Sequence, residues 1–263
     1  MVPTSDSEAG GLSYIEQFGA DEFCTTPNRP YLRGVNHAEG RAVFFRPRCK
    51  LWSCPHCAEV NKKLWTARAY HGAAILSGDD SGRQSNLITF LTLTSHRNLG
   101  PEQSIAVFSS AWDNLRHRAR RRVSHGQYLL VPERHKDGRL HAHAVTTFNL
   151  GKRWWKDNAA ETGLGYMAEE EIARTAGGAA FYVSKYLAKS LGVQDWPKYW
   201  RRVRTSRQWP KLPEQDKPDG WTFAPIEESV KLADVVASME QRGYEIVFLN
   251  HREAWSYIGE ERK

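Results

Sequence analysis

The stretch from Gln127 to Phe148 constrains the fold more than any other part of the chain. An apolar run, Gln127-Tyr-Leu-Leu-Val131, passes through PERHKDGR into LHAHAVTTF. The Lys136-Asp137-Gly138 step is a hairpin signal, because Asp and Gly accept the backbone conformations that a tight turn demands. Two adjacent antiparallel strands are therefore expected, with Glu133 near the end of the first. On a strand, residues i and i+2 point to one face. His141 and His143 then present both imidazoles together, and the turn brings Glu133 back beside His141. Two imidazoles and one carboxylate make a metal-ligand set that leaves positions open for a phosphate oxygen and water. Carboxylate ligation suits Mg²⁺ or Mn²⁺, and imidazole tilts the preference towards Mn²⁺. The simpler use of Glu133 is a surface ion pair with Arg134 or Arg139.

Further along, GGAAFYVSKYLAKSLG reads as a helix from about Gly178 to Leu191. At about 100° per residue, Tyr182, Tyr186, Lys185 and Lys189 share one face, and Val183, Leu187 and Leu191 form the apolar face beside it. Each tyrosine has a lysine three residues on. A phenol with a pKa near 10 is a poor nucleophile at neutral pH. A neighbouring ammonium lowers that pKa and offsets charge on a phosphorane. A metal site and two candidate nucleophiles point to phosphoryl transfer. Two aromatic residues on an ordinary surface helix are the competing explanation.

Between these segments and around them the chain alternates strand and helix signals. NLITFLTLTSH reads as a buried strand, rich in branched and aromatic residues. Thr92 and Thr94 place both hydroxyls on one side of it, as a site floor, as a DNA contact or simply as strand threonines. Pro101 opens a helix with Ile105, Phe108, Trp112 and Leu115 at helical spacing. That helix ends in a basic run of Arg116, Arg118, Arg120, Arg121 and Arg122, suited to phosphate contacts. A second run, Lys198, Arg201, Arg202, Arg204 and Arg207, interleaves with Tyr199, Trp200 and Trp209, a mix that suits single strands. The net charge of +7 fits a polyanionic partner. After Trp154-Trp155 a polar connection is expected. A helix from about Glu227 to Arg242 and a strand from Tyr244 to Leu249 close the chain.

Cysteine spacing supplies a further signal. RCKLWSCPHCAEV holds Cys49, Cys54 and Cys57, and its Cys-Pro-His-Cys step resembles a zinc knuckle. Cys24 upstream would complete a four-thiolate structural Zn²⁺ site, with His56, His37 and His71 as substitute fourth ligands. A disulfide or free thiols are the other readings. A short strand, Ala42-Val-Phe-Phe45, precedes this region, and a helix from about Ala58 to Leu76 follows it. Composition and motifs divide the chain into an N-terminal zinc region (1–80), a nuclease domain (81–195) and a basic, Pro-rich segment with a closing helix and strand (196–263). No apolar run reaches membrane-span length, and MVPTSDSEAG has no secretory signal character, so a cytoplasmic protein is expected.

The ordered set FLTLT (90–94), ER-x5-LHAHA (133–144) and YVSKYLAKS (182–190) resembles the HUH endonuclease superfamily, in particular two-tyrosine rolling-circle replication initiators of plasmids and single-stranded DNA phages. His141-Ala142-His143 matches the family's histidine–hydrophobic–histidine metal motif, with a smaller middle residue than is common there. Glu133 stands where the third ligand is expected. The resemblance covers about residues 86–191. It implies an α+β fold, with a central antiparallel sheet, the histidine strand in its middle and helices on its flanks. It also implies a metal-assisted attack by one tyrosine on single-stranded origin DNA. The products would be a 5′-phosphotyrosine and a priming 3′-hydroxyl, and the second tyrosine would serve strand transfer. A host helicase and polymerase would be the partners. Within the superfamily a transposase or relaxase is the alternative; motif order disfavours the relaxase. From another class, a zinc-containing DNA-binding protein with a degenerate nuclease core is the alternative.

Overall fold

A computed structural model of the chain describes residues 30–78, 87–191, 196–197, 200–213, 219–227 and 229–249. In chain order the elements are β1 (Leu32–Asn36), β2 (Arg41–Phe45), α1 (Pro55–Ser77), β3 (Thr89–Ser95), α2 (Pro101–Arg122), β4 (Tyr128–Arg134) and β5 (Leu140–Thr146). They continue with α3 (Lys152–Glu161), β6 (Leu164–Ile172), α4 (Ala176–Leu191), β7 (Arg204–Thr205), β8 (Trp221–Pro225), α5 (Leu232–Gln241) and β9 (Glu245–Phe248). The protein is α+β, with helices flanking its sheets. By packing it divides into two compact units, Met1–Cys57 with Glu214–Lys263, and Ala58–Pro213. The three-part division of the sequence follows composition and motifs, whereas this one follows contacts.

The larger unit is built on a five-stranded sheet in the order β6-β3-β5-β4-β7, antiparallel at every pairing. The histidine strand β5 is central, as the resemblance implies. Alternation along β3 sends Leu91 and Leu93 into the core and leaves Phe90, Thr92 and Thr94 on the other face. Against the first face pack Phe108, Trp112 and Leu115 of α2 and Trp155 of α3. Burying each large apolar side chain contributes about 1.5–3 kcal/mol. Helix α2 starts at Pro101, which gives up no needed donor there, and the Gly100 N–H is capped by Gln103 Oε1 at 3.1 Å. The opposite face receives α4 through Ala179, Val183 and Leu187, all buried.

The hairpin joining β4 to β5 closes at Lys136-Asp137-Gly138. His135 and Gly138 are bridged by a backbone hydrogen bond, and Gly138 adopts φ +81°, a conformation glycine takes without strain. Two elements differ from expectation. The polar connection after Trp154-Trp155 is in fact α3 followed by the nine-residue strand β6. Trp155 is fully buried, and its indole N–H donates to Glu170 Oε1 at 2.9 Å. Strand β6 pairs with β3 alone, so its Glu169-Glu170-Glu171 run lies on a sheet edge, where charge is tolerated and discourages further pairing. Gly165 lets β6 approach β3 closely, since a Cβ there would stand 2.8 Å from the Ser95 carbonyl oxygen.

The smaller unit holds a second sheet, β8-β1-β2-β9, with β2 and β9 parallel and the other pairs antiparallel. Val35, Ala42 and Phe44 pack there with Met239 of α5. Helix α5 is shorter than expected, because a turn closed by Val230 N–H to the Glu227 carbonyl comes before it.

Candidate active site

Register brings the candidate residues of β3, β4 and β5 into two rows. Glu133, His141 and Thr94 lie in one row across the three strands, and Val131, His143 and Thr92 lie in the next. His141 and His143 share the face covered by α4. Spacing alone predicts the placement of Glu133 opposite His141, but the closest contact is with the other histidine. His143 Nε2 lies 2.8 Å from Glu133 Oε2, while the His141 ring stacks on His135 at 4.5 Å.

Helix α4 completes the face. The Tyr182 hydroxyl lies 2.9 Å from Thr92 Oγ1 and 3.3 Å from His143 Nδ1, and its ring stacks on Phe90 at 4.3 Å. Tyr186 stacks flat on the His143 imidazole. Lys189 Nζ is 3.1 Å from Glu133 Oε1, and both Lys185 and Lys189 lie over the Tyr186 ring, at 5.5 and 5.1 Å. Sequence spacing paired Lys185 with Tyr182; the structure gathers both ammonium groups at Tyr186.

The electrostatics follow from burial and these partners. Burial favours a neutral Glu133, but hydrogen bonds from His143 and Lys189 outweigh it and hold the carboxyl below its usual range. An ionised carboxylate only accepts, so His143 Nε2 carries the proton and Nδ1 is left to accept from a hydroxyl. Burial lowers His141 to about 4, aided by His135 and His143. His143 is also lowered by burial, against the pull of Glu133. Both imidazoles are therefore in the neutral, ligand-competent form at neutral pH. The phenols depart from expectation. Burial raises Tyr182, and it raises Tyr186 as well, with Lys189 pulling the other way without prevailing. Lysine proximity alone does not yield an activated phenol here.

Among the described residues, one group of three or more histidine, cysteine, aspartate and glutamate side chains brings its ligand atoms within 4.8 Å of one another: Cys49, Cys54 and Cys57. Glu133, His141 and His143 share a face without converging that closely, because His143 is engaged with Glu133 and His141 with His135. The three thiols are buried, with Cys49 Sγ 3.5 Å from Cys57 Sγ. Cys54 stands just before α1 and Cys57 in its first turn, so the helix start folds the pair towards Cys49. This donor set could hold a metal such as zinc. Cys24 lies outside the described residues, as does the side chain of His56. His37 sits in the turn between β1 and β2, with Nδ1 2.5 Å from the Tyr244 hydroxyl.

The arginines expected to meet DNA have separate fates. Arg118 pairs with Glu161, and Arg121 and Arg122 are exposed. Arg202 is buried, its guanidinium 4.8 Å from the Trp196 ring centroid. Arg116, Arg120, Arg201 and Arg204 gather around one cavity. The stacked partners of the site, Phe90 under Tyr182 and His135 under His141, were not anticipated from sequence. The alternation that faces Phe90 with Thr92 was the available signal for the first; nothing short of the hairpin geometry gives the second.

This geometry agrees with the comparison to known families. Residues 88–191, less than half of the chain, match the family described as replication-associated protein ORF2/gene II protein. The match spans the segment that carries the histidines and tyrosines, and it fits a rolling-circle replication initiator. No curated protein and no solved structure gave a match. Among the described residues no helix is long and apolar enough to cross a membrane.

Proposed function

We propose that the chain initiates rolling-circle replication by nicking single-stranded origin DNA with a tyrosine and later rejoining the ends. The observation that carries this reading is the convergence of Tyr182, Tyr186, Lys185 and Lys189 of α4 on the sheet face that bears His141, His143 and Glu133.

Tyr186 is the better-placed first nucleophile, being less buried than Tyr182 and flanked by both lysines. Its phenolic oxygen forms a bond to the scissile phosphorus as the 3′-oxygen leaves. The phenol gives up a proton and the leaving oxygen gains one, so the products are a 5′-phosphotyrosine and a free 3′-hydroxyl. One ester replaces another, which keeps the step reversible and allows rejoining. Lys185 and Lys189 offset negative charge as the phosphorus becomes five-coordinate. Tyr182, held by Thr92, is the acceptor for the later strand-transfer step. The neutral imidazoles and the ionised carboxylate fit a divalent ion: Glu133, His141 and His143 would hold Mg²⁺ or Mn²⁺. Such an ion, when bound, polarises a phosphate oxygen. A host helicase and polymerase would take over at the 3′-hydroxyl, and the work would take place in the cytoplasm.

The test is a labelled single-stranded oligonucleotide from the protein's own replicon, incubated with Mn²⁺ or with EDTA and run on a denaturing gel. A covalent adduct is expected with Mn²⁺ and not with EDTA. His141→Ala and His143→Ala each abolish it, as does Tyr182→Phe combined with Tyr186→Phe. An adduct that survives the double tyrosine change would show the nucleophile assignment to be wrong.

A further inference from the structure

Two basic segments far apart in sequence meet on the side of the sheet turned away from the tyrosines. Arg116 and Arg120 of α2 and Arg201, Arg204 and Arg207 around β7 line one cavity of about 810 Å³. Trp112 and Tyr128, which also line it, belong to the core beneath α2, on the opposite face from His143 and Tyr186. The one carboxylate in the lining, Asp113, is already bound by Arg116 at 2.8 Å. The cavity therefore carries a large excess of positive charge.

Its donors are also short of acceptors. Trp112 Nε1, Trp200 Nε1, Arg120 Nε and Arg204 Nε are all buried without a hydrogen-bond partner. Buried donors are seldom left in that state, and four around one cavity call for an acceptor from outside the chain. Arg204 is pre-set for this role. Its Nη2 donates to Ser109 Oγ at 2.8 Å, and its guanidinium lies 4.9 Å from the Trp200 ring and 5.4 Å from Phe108. The half-buried rings of Trp65 and Trp200 add aromatic surface to the lining. Aromatic rings beside guanidinium groups favour a phosphate that carries a base over a bare anion. The volume falls within the roughly 300–1,000 Å³ of small-ligand pockets.

We propose that this cavity is a second nucleotide-binding site, where the arginines hold a phosphate and Trp65 and Trp200 meet the base of a single-stranded DNA segment. That the nucleotide belongs to a DNA strand rests on the proposed function; the phosphate-and-base chemistry of the cavity does not. Because β7 is an edge strand, a bound single strand would pass round that edge from the tyrosine face to this one. It would then stay attached while its end at the tyrosines is free.

The experiment uses the full chain carrying Tyr182→Phe and Tyr186→Phe, so binding is read without covalent chemistry. Oligonucleotides with 5-iodouracil at successive positions are photocrosslinked and the attached peptides mapped. Crosslinks at Trp65 or Trp200 are expected. Adding Arg120→Ala and Arg207→Ala should weaken binding at least about tenfold and flatten the log–log salt dependence by about 1.4, at roughly 0.7 per single-strand phosphate contact. Arg120→Lys with Arg207→Lys should keep the salt slope, which separates lost charge from misfolding. Crosslinks confined to β3, β5 and α4 with an unchanged salt slope would overturn the proposal. Free dTMP binding as tightly as the oligonucleotide would overturn the assignment to a strand and make the cavity a free-nucleotide site. An adduct assay that failed beside positive crosslinks at Trp65 or Trp200 would remove the nuclease reading and leave the cavity standing.

Discussion

Lys189 Nζ stands 3.1 Å from Glu133 Oε1, so a residue from the last turns of α4 is tied to the end of β4. The same carboxylate holds His143 through its other oxygen. Glu133 thereby fixes the distance between the tyrosine helix and the histidine strand. Glu133→Gln is expected to lower adduct formation by roughly 10–100-fold, the range for disturbing metal-site ligation. Lys189→Met should lower it about tenfold while leaving Mn²⁺ affinity intact or improved, since a competitor for the carboxylate is removed. Isothermal titration with Mn²⁺ beside the gel assay separates the two effects. Weaker Mn²⁺ binding in Lys189→Met would sink this account of the lysine.

The three buried thiols predict stoichiometric zinc in protein purified without chelator. Cys49→Ser, Cys54→Ser and Cys57→Ser should each abolish its retention. Each should also lower Tm by at least about 5 °C, the shift that ~1 kcal/mol produces in a small domain. Comparing Cys24→Ser with His56→Ala identifies the fourth ligand. Metal analysis that finds no zinc in the unaltered protein rules the site out.

Acid should loosen the tip of the β4–β5 hairpin. The Arg139 guanidinium and backbone N–H hold Asp137 down to about 2, below its usual 3.8. A depressed carboxyl stabilises the folded form at pH values above about 3.8, and that contribution disappears as pH falls towards about 2. NMR titration of the Asp137 carboxyl checks this. In Arg139→Ala its midpoint should move up towards the ordinary aspartate value, and an unmoved midpoint would contradict the pairing.

Trp155 anchors α3 by volume and by one hydrogen bond. Trp155→Ala is expected to cost about 3–5 kcal/mol, as large core truncations do. Trp155→Phe keeps most of the volume but takes a donor from Glu170, at a cost of about 1–3 kcal/mol. Urea unfolding of both variants measures the difference. Equal losses would mean that the Glu170 contact contributes nothing.

Much of the active face was legible because its residues obey period rules. Thr92 and Thr94 alternate with Leu91 and Leu93, His141 and His143 skip one residue, and a Lys-Asp-Gly turn sets the register that delivers Glu133. Tyr182 and Tyr186 follow the helical repeat. What failed to show were effects of the third dimension. Glu169-Glu170-Glu171 reads as a polar connector, because an edge strand paired on one side can carry charge that a central strand could not. Helix α3 is hidden for a related reason, since only two of its residues, Trp155 and Ala159, are buried. The phenol pKa direction was also illegible: local spacing reports the neighbouring lysine but not the burial that overrides it. The converging arginines of α2 and β7 lie too far apart in sequence for any window to join them.

The smaller unit draws its strands from both ends of the chain, with β1 and β2 before the larger unit and β8 and β9 after it. During synthesis β1 and β2 emerge first yet wait for partners that are made near the end. Meanwhile every strand of the five-stranded sheet, down to β7, has already left the ribosome. The nuclease-like unit can therefore fold before the unit that encloses it in sequence is complete. A ribosome stalled before Trp221 would leave β1 and β2 as an isolated hairpin, a structure marginal in water. Truncated chains would then carry an assembled tyrosine face beside an unfinished second sheet, and proteolysis would distinguish them from the full-length product.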